Sequence, residues 1–343
     1  MANIVLVVGA GASRELEIPT GGELLLEIIS GINYNQNYSS SNGEGRFLDP
    51  VNQFFNMIGS NDMAVNILCF EQELIPFREE LRACAKNGKS LDAFLNQNGR
   101  SDILKKFGKF AIAYYIIGYE AKIKNENLYG FRENWIRYFL EKHLQPVKKD
   151  LRDGRVKIKI ITFNYDRVIE HFLYYFLRYT PNPEIPGFEP AKGTDESRSI
   201  VDRFAVIHVY SKLADLDWQN PGEETIRFGE RNNDKGSLSA ASSAIKLIAE
   251  TGIGRVTEET KTQIKKVMAE AEKIYCLGFG FDEDNMRILF GNEVHQKRFR
   301  TTASCDATAI NIDCAIRDKY QFISYHKLKC FQMMTNPGLF KIE

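Results

Sequence analysis

The sequence lacks an excess of charge of either sign. Its 343 residues carry 45 lysine and arginine side chains and 45 aspartate and glutamate side chains, so the formal net charge at pH 7 is zero. Proteins that bind nucleic acid through its phosphates usually show a basic excess. We therefore expect no direct nucleic-acid binding.

Cysteine is scarce, and its spacing is not that of a metal site. Six cysteines are present, at positions 69, 84, 276, 305, 314 and 330, and no two of them form a CxxC pair. Structural zinc sites usually show such pairs. The acidic run Asp282–Asp284 has no second cluster to complete a metal site, and carboxylates are typical of a helix start. The sequence predicts no zinc and no other metal.

Long apolar runs are missing as well. No run approaches the roughly 20 apolar residues of a membrane-spanning helix. The chain begins a strand almost at once, without the basic region and apolar stretch of a signal peptide. These features predict a cytoplasmic protein without a membrane partner.

What the sequence does contain is three apolar strands with polar or glycine-rich ends. KIKIITFNYD, at 157–166, ends in Thr162, Asn164 and Asp166. IVLVVGAGAS, at 4–13, ends in glycines, and KIYCLGFGFDEDN, at 273–285, ends in glycines, carboxylates and an amide. In an open α/β sheet, ligands bind beyond the carboxyl ends of the strands. The three ends therefore predict one nucleotide site.

The turn after the first strand favours a phosphate. Gly9 and Gly11 allow the backbone to come close to a ligand, and the N–H groups of a following helical turn can receive phosphate. Arg14 stands where the dehydrogenase fingerprint GxGxxG has its third glycine. That difference argues against an ordinary hydride-transfer enzyme, and GxG alone is also found in simple tight turns.

Strands alternate with helices over most of the chain, which predicts an α/β fold with a Rossmann-like, doubly wound parallel sheet. We assign residues 1–30 and 151–343 to this core. Residues 31–150 read as a large helical insertion whose aromatic side chains, such as Phe107 and Phe110, are expected to form its own core. A last strand is predicted over 307–312.

Simpler roles exist for the polar residues at the strand ends. Asn164 and Asp166 could cap the helix that begins near Arg167. A single histidine at the end of a strand, as at His208, is more often structural than catalytic. Tyr210 could be a packed aromatic residue. The combination with Thr162 at the end of a buried strand favours a functional site.

In order along the chain, the strand ends resemble the motifs of the sirtuin family of NAD-consuming proteins. GAGAS followed by Ile18-Pro19 is similar to the GAGxS…GIP segment of that family, and TFNYD at 162–166 is similar to its TxNxD motif. HVYSKL at 208–213 stands where the family carries its catalytic histidine, and LGFGFDEDN at 277–285 resembles its later nucleotide-binding loop. The GFGF form is typical of the bacterial sirtuin-like NAD hydrolases of antiphage defence.

The departures from the family narrow the expected activity. Deacetylating sirtuins carry two CxxC zinc pairs, which this chain lacks, and IPTGGE has no acidic-aromatic-basic continuation. Both differences favour NAD hydrolysis over peptide deacetylation. Ser211 also replaces the glycine expected after the histidine motif, so either His208 or Tyr210 could fill the catalytic position. We favour His208, because tyrosine is a poor proton acceptor near neutral pH.

The resemblance implies a role for each motif. Asn164 and His208 would be catalytic, with Asn164 on the ribose or the attacking water and Asp166 on the nicotinamide carboxamide. The remaining contacts to NAD would come from the loops and strand ends, namely Gly9, Ala10, Gly11, Ala12, Ser13, Thr162, Gly278, Phe279, Gly280 and Asn285. NAD would be the substrate.

The resemblance implies an effector of abortive infection, which must be kept inactive until it is needed, because uncontrolled loss of NAD kills the cell. A homo-oligomer or a second protein such as a HerA-type ring ATPase would provide this regulation, and the helical insertion is the candidate surface. Two other readings remain. One is a scaffold that binds NAD or ADP-ribose without catalysis, and the other is an NAD-dependent deacetylase, which the cysteines disfavour.

Overall fold

The computed structural model describes most of the chain. The described residues are 2–33, 49–87, 91–95, 101–126, 130–131, 133–179, 201–202, 204–220, 225–230, 235–246, 256–291, 300–304 and 319–342. The strand predicted at 307–312 falls entirely outside these ranges.

Six parallel strands form one sheet, which confirms the predicted α/β class with a Rossmann-like parallel sheet. They are β1 (Ala2–Val8), β2 (Val156–Thr162), β3 (Val206–His208), β4 (Lys273–Leu277), β5 (Arg300–Ser304) and β6 (Ile323–His326). Their spatial order is β3-β2-β1-β4-β5-β6, and every neighbouring pair is parallel. The order reverses between β1 and β4, which is the switch point where such sheets open a crevice for ligands.

The central strands are apolar because both faces of the sheet are covered. Residues 4–8 of β1 are at most 2% exposed, as are Ile158, Ile160 and Ile161 of β2. This near-continuous burial is the pattern expected of a parallel sheet between helical layers. β5 departs from it, since Thr301 and Thr302 are as buried as any aliphatic residue.

The chain divides into two compact units. The first holds the sheet and consists of Met1–Ile18, Ile123–Ser211 and Val256–Glu343, and the second consists of Pro19–Lys122 and Lys212–Arg255. These bounds differ from the predicted ones. Residues 19–30 belong to the second unit, and the helices after Ile123 belong to the first. Residues 212–255, which the sequence placed in the core, also belong to the second unit.

The helices of the sheet unit connect and cover the strands. Helices are numbered in chain order through both units. The first, α1 (Ala10–Ser13), belongs to the sheet unit and is followed by a 3-10 turn, Arg14–Leu16. The sheet unit adds α8 (Trp135–Tyr138), a π-helical stretch (Phe139–Leu144), α9 (Gln145–Arg152) and α10 (Val168–Tyr179), and later α12 (Glu258–Glu270), α13 (Glu283–Phe290) and α14 (Cys330–Thr335). Trp135 donates its indole N–H to the carbonyl of Ala12 at 2.9 Å, which ties α8 to the turn after β1.

The second unit is helical. Its described helices between Gly21 and Lys122 are α2 (Gly21–Gly31), α3 (Asp49–Met57), α4 (Met63–Cys69), a π-helical stretch (Phe70–Leu74), α5 (Ile75–Lys86), α6 (Leu91–Leu95) and most of α7 (Asp102–Glu126). Later in the chain, α11 (Lys235–Ala244) also belongs to this unit. α2 starts with a capping box formed by Thr20 and Glu23.

The core of this unit is aromatic. The rings of Phe54 and Phe107 meet edge to face at 5.1 Å, and Phe77 adds a second edge contact to Phe107 at 6.1 Å. Phe110 is fully buried beside them. The expectation that these aromatics form a core is therefore confirmed. Across the described ranges, no helix is long and apolar enough to cross a membrane.

Candidate active site

The strand register brings the four predicted stretches to one edge of the sheet. Val8 pairs with Thr162 on one side and with Leu277 on the other, and Thr162 pairs in turn with His208. The last residues of four strands thus form one row. Because all four strands are parallel, the loops that follow this row leave the sheet on the same edge.

The glycines after β1 and β4 serve the contact between two loops. A Cβ atom on Gly9 would lie 2.6 Å from the carbonyl oxygen of Gly278, and one on Gly11 would lie 2.8 Å from the same oxygen. Gly278 has a φ of +55°, and a Cβ there would lie 2.0 Å from the nitrogen of Ala12. Neither loop can carry side chains at these positions, because no real Cβ approaches backbone atoms so closely.

The backbone amides of this turn are engaged within the protein. Gly9 N–H donates to the carbonyl of Leu277 at 3.0 Å, Gly11 N–H donates to that of Gly278 at 2.9 Å, and Ala12 N–H donates to that of Gly9 at 3.0 Å. The predicted contacts of this turn with NAD stay a prediction, although Gly9, Gly11 and Ala12 use their amides within the protein. Together with Ala10, they form a short turn that locks β1 against β4.

The side chain of Asn164 is held in one orientation. Its amide nitrogen donates to the hydroxyl of Ser13 at 2.8 Å and to the carbonyl of Gly9 at 3.2 Å. Its backbone N–H donates to the hydroxyl of Thr162 at 3.1 Å. The side-chain oxygen of Asn164 is buried and meets no hydrogen-bond partner among the described residues, although Asn164 is only 6% exposed. Since a buried polar atom without a partner is costly, this oxygen is suited to accept a hydrogen bond from a ligand.

Asp166 stabilises the orientation of Asn164 through Ser13. Its carboxylate accepts the Ser13 hydroxyl proton at 2.8 Å, so that a chain of hydrogen bonds runs from Asn164 through Ser13 to Asp166. The other carboxylate oxygen accepts from the N–H of Val168 at 3.3 Å at the start of α10. Asp166 therefore caps the helix and orients Ser13. Its predicted contact with a nicotinamide carboxamide stays a prediction.

His208 makes contacts with both of its ring nitrogens. Nδ1 lies 2.9 Å from the backbone carbonyl oxygen of Asn164, and Nε2 lies 2.6 Å from the carboxylate of Glu170. The side chains of His208 and Glu170 are only 7% and 2% exposed. In this arrangement, His208 has no free nitrogen to accept a proton from a ligand.

Glu170 is a residue that the sequence analysis missed. It belongs to the first turn of α10 and lies four residues after Asp166, within a helix that is otherwise largely apolar. The buried residues Leu173 and Tyr174 lie on the same helical face, at spacings of three and four. Glu170 could have been recognised from the sequence, because it places a carboxylate on the apolar face of a helix directly after the TFNYD motif.

Tyr210 and Asn285 meet at the same edge. The tyrosine hydroxyl donates to the side-chain oxygen of Asn285. Asp282 accepts from the N–H groups of Asp284 and Asn285 and so caps α13, as the helix-start reading of this acidic run predicts. Within the described ranges, no group of three or more potential metal ligands occurs.

Phe279 belongs to the core, and its predicted role in nucleotide binding stays a prediction. It is 1% exposed, and its ring packs 5.0 Å from that of Phe163 and 5.0 Å from that of Phe281. Gly280 next to it is exposed, with open space where a side chain would lie. The aromatic rings of Phe279 and Phe281 thus anchor the loop in the core, whereas Gly280 lies at the surface.

A cavity of about 280 Å³ lies at the switch point of the sheet, where the loops that follow β1 and β4 contribute to its lining. Its size is close to the lower end of ligand pockets, which measure about 300–1,000 Å³. Its lining includes glycines of both loops together with charged and hydroxyl side chains, namely Gly11, Gly278, Arg14, Glu15, Ser304 and Lys329. The sequence analysis had named only the two glycines as site residues. Arg14 and Glu15 follow the GAGAS turn directly, whereas Ser304 and Lys329 have no motif that could have found them.

Glu15 is the carboxylate of this cavity. It accepts from the N–H of Phe331 at 3.2 and 3.3 Å, near the start of α14. Burial raises the pKa of Glu15 to about 7, although the hydrogen bonds and Lys329 act in the opposite direction. The cavity therefore changes its charge near neutral pH.

Comparison with known proteins adds no relative to these observations. No protein-family model matches the chain, and no curated protein matches it either. The function must therefore be argued from the site itself.

Proposed function

We propose that the protein is an NAD⁺ hydrolase, which cleaves the bond between nicotinamide and ribose to give nicotinamide and ADP-ribose. The observation that carries this proposal is the buried side-chain oxygen of Asn164, which is fixed in direction and has no partner among the described residues. A ribose hydroxyl or an attacking water can donate a hydrogen bond to such an oxygen. The sequence resemblance to sirtuin-like NAD hydrolases supports the same reading.

The cavity supports a nucleotide as the ligand. It lies at the switch point of the sheet, where mononucleotides and dinucleotides bind in folds of this class. Arg14 and Lys329 supply positive charge for a phosphate, and Ser304 supplies a hydroxyl group. Since its volume is smaller than most ligand pockets, the cavity suits one part of a dinucleotide, with the nicotinamide end directed to Asn164.

Cleavage of the bond between nicotinamide and ribose requires little acid–base catalysis from the protein. Cleavage passes through an oxocarbenium-like ribose, as in glycoside hydrolysis, and the leaving nicotinamide departs as a neutral molecule. No general acid is therefore required. The side chains need to hold the ribose, orient water and exclude bulk solvent, and the fixed oxygen of Asn164 meets the first two requirements.

Substitution of Asn164 tests the proposal. In Asn164→Ala, nicotinamide release from NAD⁺ should fall by at least about 100-fold, because misplacing the reacting groups by about 1 Å can have that effect. The measurement is free nicotinamide by liquid chromatography, with the purified full chain alone and with candidate neighbouring proteins. Asn56→Ala, an exposed asparagine on α3, is the matched control and should leave the rate unchanged. Full turnover by a folded Asn164→Ala protein would contradict the proposal.

A second function, binding of NAD or ADP-ribose by a scaffold without catalysis, is favoured by one observation. Both ring nitrogens of His208 are engaged within the protein, as a residue without a catalytic role would be. Calorimetric titration with ADP-ribose separates the two functions when it is combined with the nicotinamide assay. Binding without turnover under every condition supports the scaffold. Failure of both binding and turnover rejects a nucleotide function altogether.

The biological setting is part of the proposal. We infer a regulated effector of antiphage defence that depletes NAD, held inactive in a homo-oligomer or by a partner such as a ring ATPase. Nicotinamide release that appears only after assembly with such a partner would support this setting. Constitutive turnover by an isolated monomer would contradict it. Deacetylation of an acetylated peptide is the disfavoured third activity.

A further inference from the structure

The hydrogen bonds of His208 determine where its protons lie. Nδ1 faces the backbone carbonyl oxygen of Asn164 at 2.9 Å, and a carbonyl oxygen can only accept. Nδ1 must therefore carry a hydrogen. Nε2 faces the Glu170 carboxylate at 2.6 Å, slightly shorter than the roughly 2.7–2.9 Å of a charge-assisted N–H···O hydrogen bond. A proton must lie between these two atoms as well, because two lone pairs would repel each other at that distance.

It follows that His208 and Glu170 share one proton between them and are neutral as a pair. His208 has no lone pair left for a ligand. A residue that removes a proton from water or from a ribose hydroxyl needs such a lone pair within hydrogen-bond reach. In this geometry, His208 does not have one.

The pair is deeply buried, which makes it hard to open. The side chains of His208 and Glu170 are 7% and 2% exposed. Separating two such groups would leave a charge or a polar atom without a partner in a region that water scarcely reaches. The contact is therefore suited to a permanent structural role.

What the pair holds is the peptide of Asn164. His208 fixes the carbonyl of Asn164 from β3, and Glu170 fixes His208 from α10. Ser13 and Gly9 fix the side-chain amide of the same residue from the other side. Asn164 is thus held through both its backbone and its side chain, which sets the direction of its free oxygen.

We propose that Glu170 and His208 are positioning residues that act through Asn164, and that His208 is not the proton acceptor of the reaction. This inference deepens the proposed function, on which it depends only for the ligand that Asn164 binds. It also assigns a role to Glu170, which the motif comparison left without one.

Nuclear magnetic resonance of protein labelled with ¹⁵N-histidine tests the pair without any assay of activity. The chain has five histidines, and the signals of His208 are identified by their loss in His208→Gln. We expect a slowly exchanging proton on Nδ1 and an Nε2 resonance that shifts in Glu170→Gln. Saturating ADP-ribose should leave both in place. An Nε2 resonance that ignores Glu170→Gln, or that ADP-ribose displaces, would overturn the proposal.

Binding of ADP-ribose tests the positioning role. Glu170→Ala and His208→Ala should each weaken binding by about two- to tenfold, the range for loss of one hydrogen bond. The double variant should be no weaker than the worse single variant, since both act on one element. A proton acceptor would behave differently, because its loss would lower kcat by about 10²–10⁴-fold and leave the binding of product unchanged. That pattern would contradict the inference.

Two controls keep the result interpretable. Glu170→Gln can still donate a hydrogen bond to Nε2 and should restore most of the binding that Glu170→Ala loses, even if the alanine variant folds poorly. Glu258→Gln replaces an exposed carboxylate in the first turn of α12 and should have no effect. If the unmodified protein does not bind ADP-ribose, the proposed function fails, whereas the resonances of His208 still decide whether the pair exists.

Discussion

The Asn164 cluster and the cavity beside β4 share one edge of the sheet but are built in opposite ways. In the cluster, Ser13, Asn164 and Asp166 are buried and hydrogen-bonded to each other, and the side-chain oxygen of Asn164 has no partner among the described residues. The cavity is lined by charged side chains of which Lys329 is exposed and makes a surface ion pair with Glu133. The comparison indicates that the cluster fixes geometry, whereas the cavity supplies charge and space.

This difference predicts where the molecule tolerates change. Substitutions in the cluster and in the loops that support it should destabilise the fold. Substitutions of the charged side chains in the cavity should alter ligand affinity and its dependence on pH with little effect on the fold.

The largest effect is expected where the two loops touch. In Gly278→Ala, the new Cβ would lie 2.0 Å from the Ala12 nitrogen, on a backbone with a φ of +55°. The clash and the strain together should lower the free energy of unfolding by about 3 kcal/mol. Urea denaturation measures this value. Gly280→Ala, where the new Cβ meets nothing within 4 Å, is the matched control, and a similar loss in both variants would contradict the role given to the loop contact.

A smaller effect is expected for Ser13→Ala. The variant removes the hydroxyl that links Asn164 to Asp166, so both buried groups lose a partner. We expect a loss of about 2 kcal/mol in unfolding free energy, together with weaker binding of ADP-ribose. Ser30→Ala removes an exposed hydroxyl that bonds to the carbonyl of Glu27, and it should change the stability by less than about 0.5 kcal/mol. Unchanged affinity in Ser13→Ala would mean that the relay does not orient Asn164.

The cavity should respond to pH through Glu15. Its pKa in the folded chain is about 7, above the ordinary value of 4.5, because of burial. The folded state therefore binds more protons than the unfolded state between about pH 4.5 and 7, and stability falls as the pH rises through that window. We expect a decrease of about 1–2 kcal/mol, reduced by the remaining solvent contact.

Glu15→Gln provides the check, since it removes the titrating group. Unfolding free energies at pH 5 and pH 8 should differ less in the variant than in the unmodified protein. The affinity for ADP-ribose should also decrease less with rising pH, because the variant does not gain a negative charge beside the phosphate. The same pH dependence with and without Glu15 would assign the titration to another group.

The smallest effect on the fold is expected at Lys329. Its ion pair with Glu133, at 2.8 Å, is exposed on both sides, and such pairs contribute about 0–1 kcal/mol. Lys329→Met should therefore leave the unfolding midpoint nearly unchanged. Affinity for ADP-ribose should fall by several-fold if the cavity holds a phosphate, and fluorescence or calorimetric titration measures this. If the unmodified protein and Lys329→Met bind ADP-ribose with the same affinity at both low and high salt, the phosphate does not bind beside Lys329.

The sequence was informative wherever apolar strands ended in a motif. β1 and β4 contain continuous apolar runs and β2 has buried isoleucines at 158, 160 and 161, so the positions and the parallel pairing of these strands were predictable. β5 was not, since Thr301 and Thr302 are polar residues that become buried only in the context of the sheet. The bounds of the two compact units also differ from those of the predicted domains, because the units follow the packing of the helices and not only their order along the chain.

The site shows the same limit. The motifs located Asn164, Asp166 and His208 at one edge, but they did not indicate which hydrogen bonds these side chains make. The glycines were expected to face a phosphate, yet Gly9 and Gly11 face Gly278. Glu170 and Glu15 carry no signature of their own, since a carboxylate within a helix or turn reads as solvated until its neighbours in space are known.

The row formed by His208, Thr162, Val8 and Leu277 sets a fixed scale for any ligand at this edge. Neighbouring strands are spaced by about 4.8 Å, so the first and last members of the row lie about 14 Å apart. Distances along this edge are therefore multiples of the spacing between strands. A ligand that contacts both Asn164, after β2, and the hydroxyl group of Ser304, at the end of β5, must span the spacings between β2, β1, β4 and β5. A shorter ligand can contact only one of these two residues at a time.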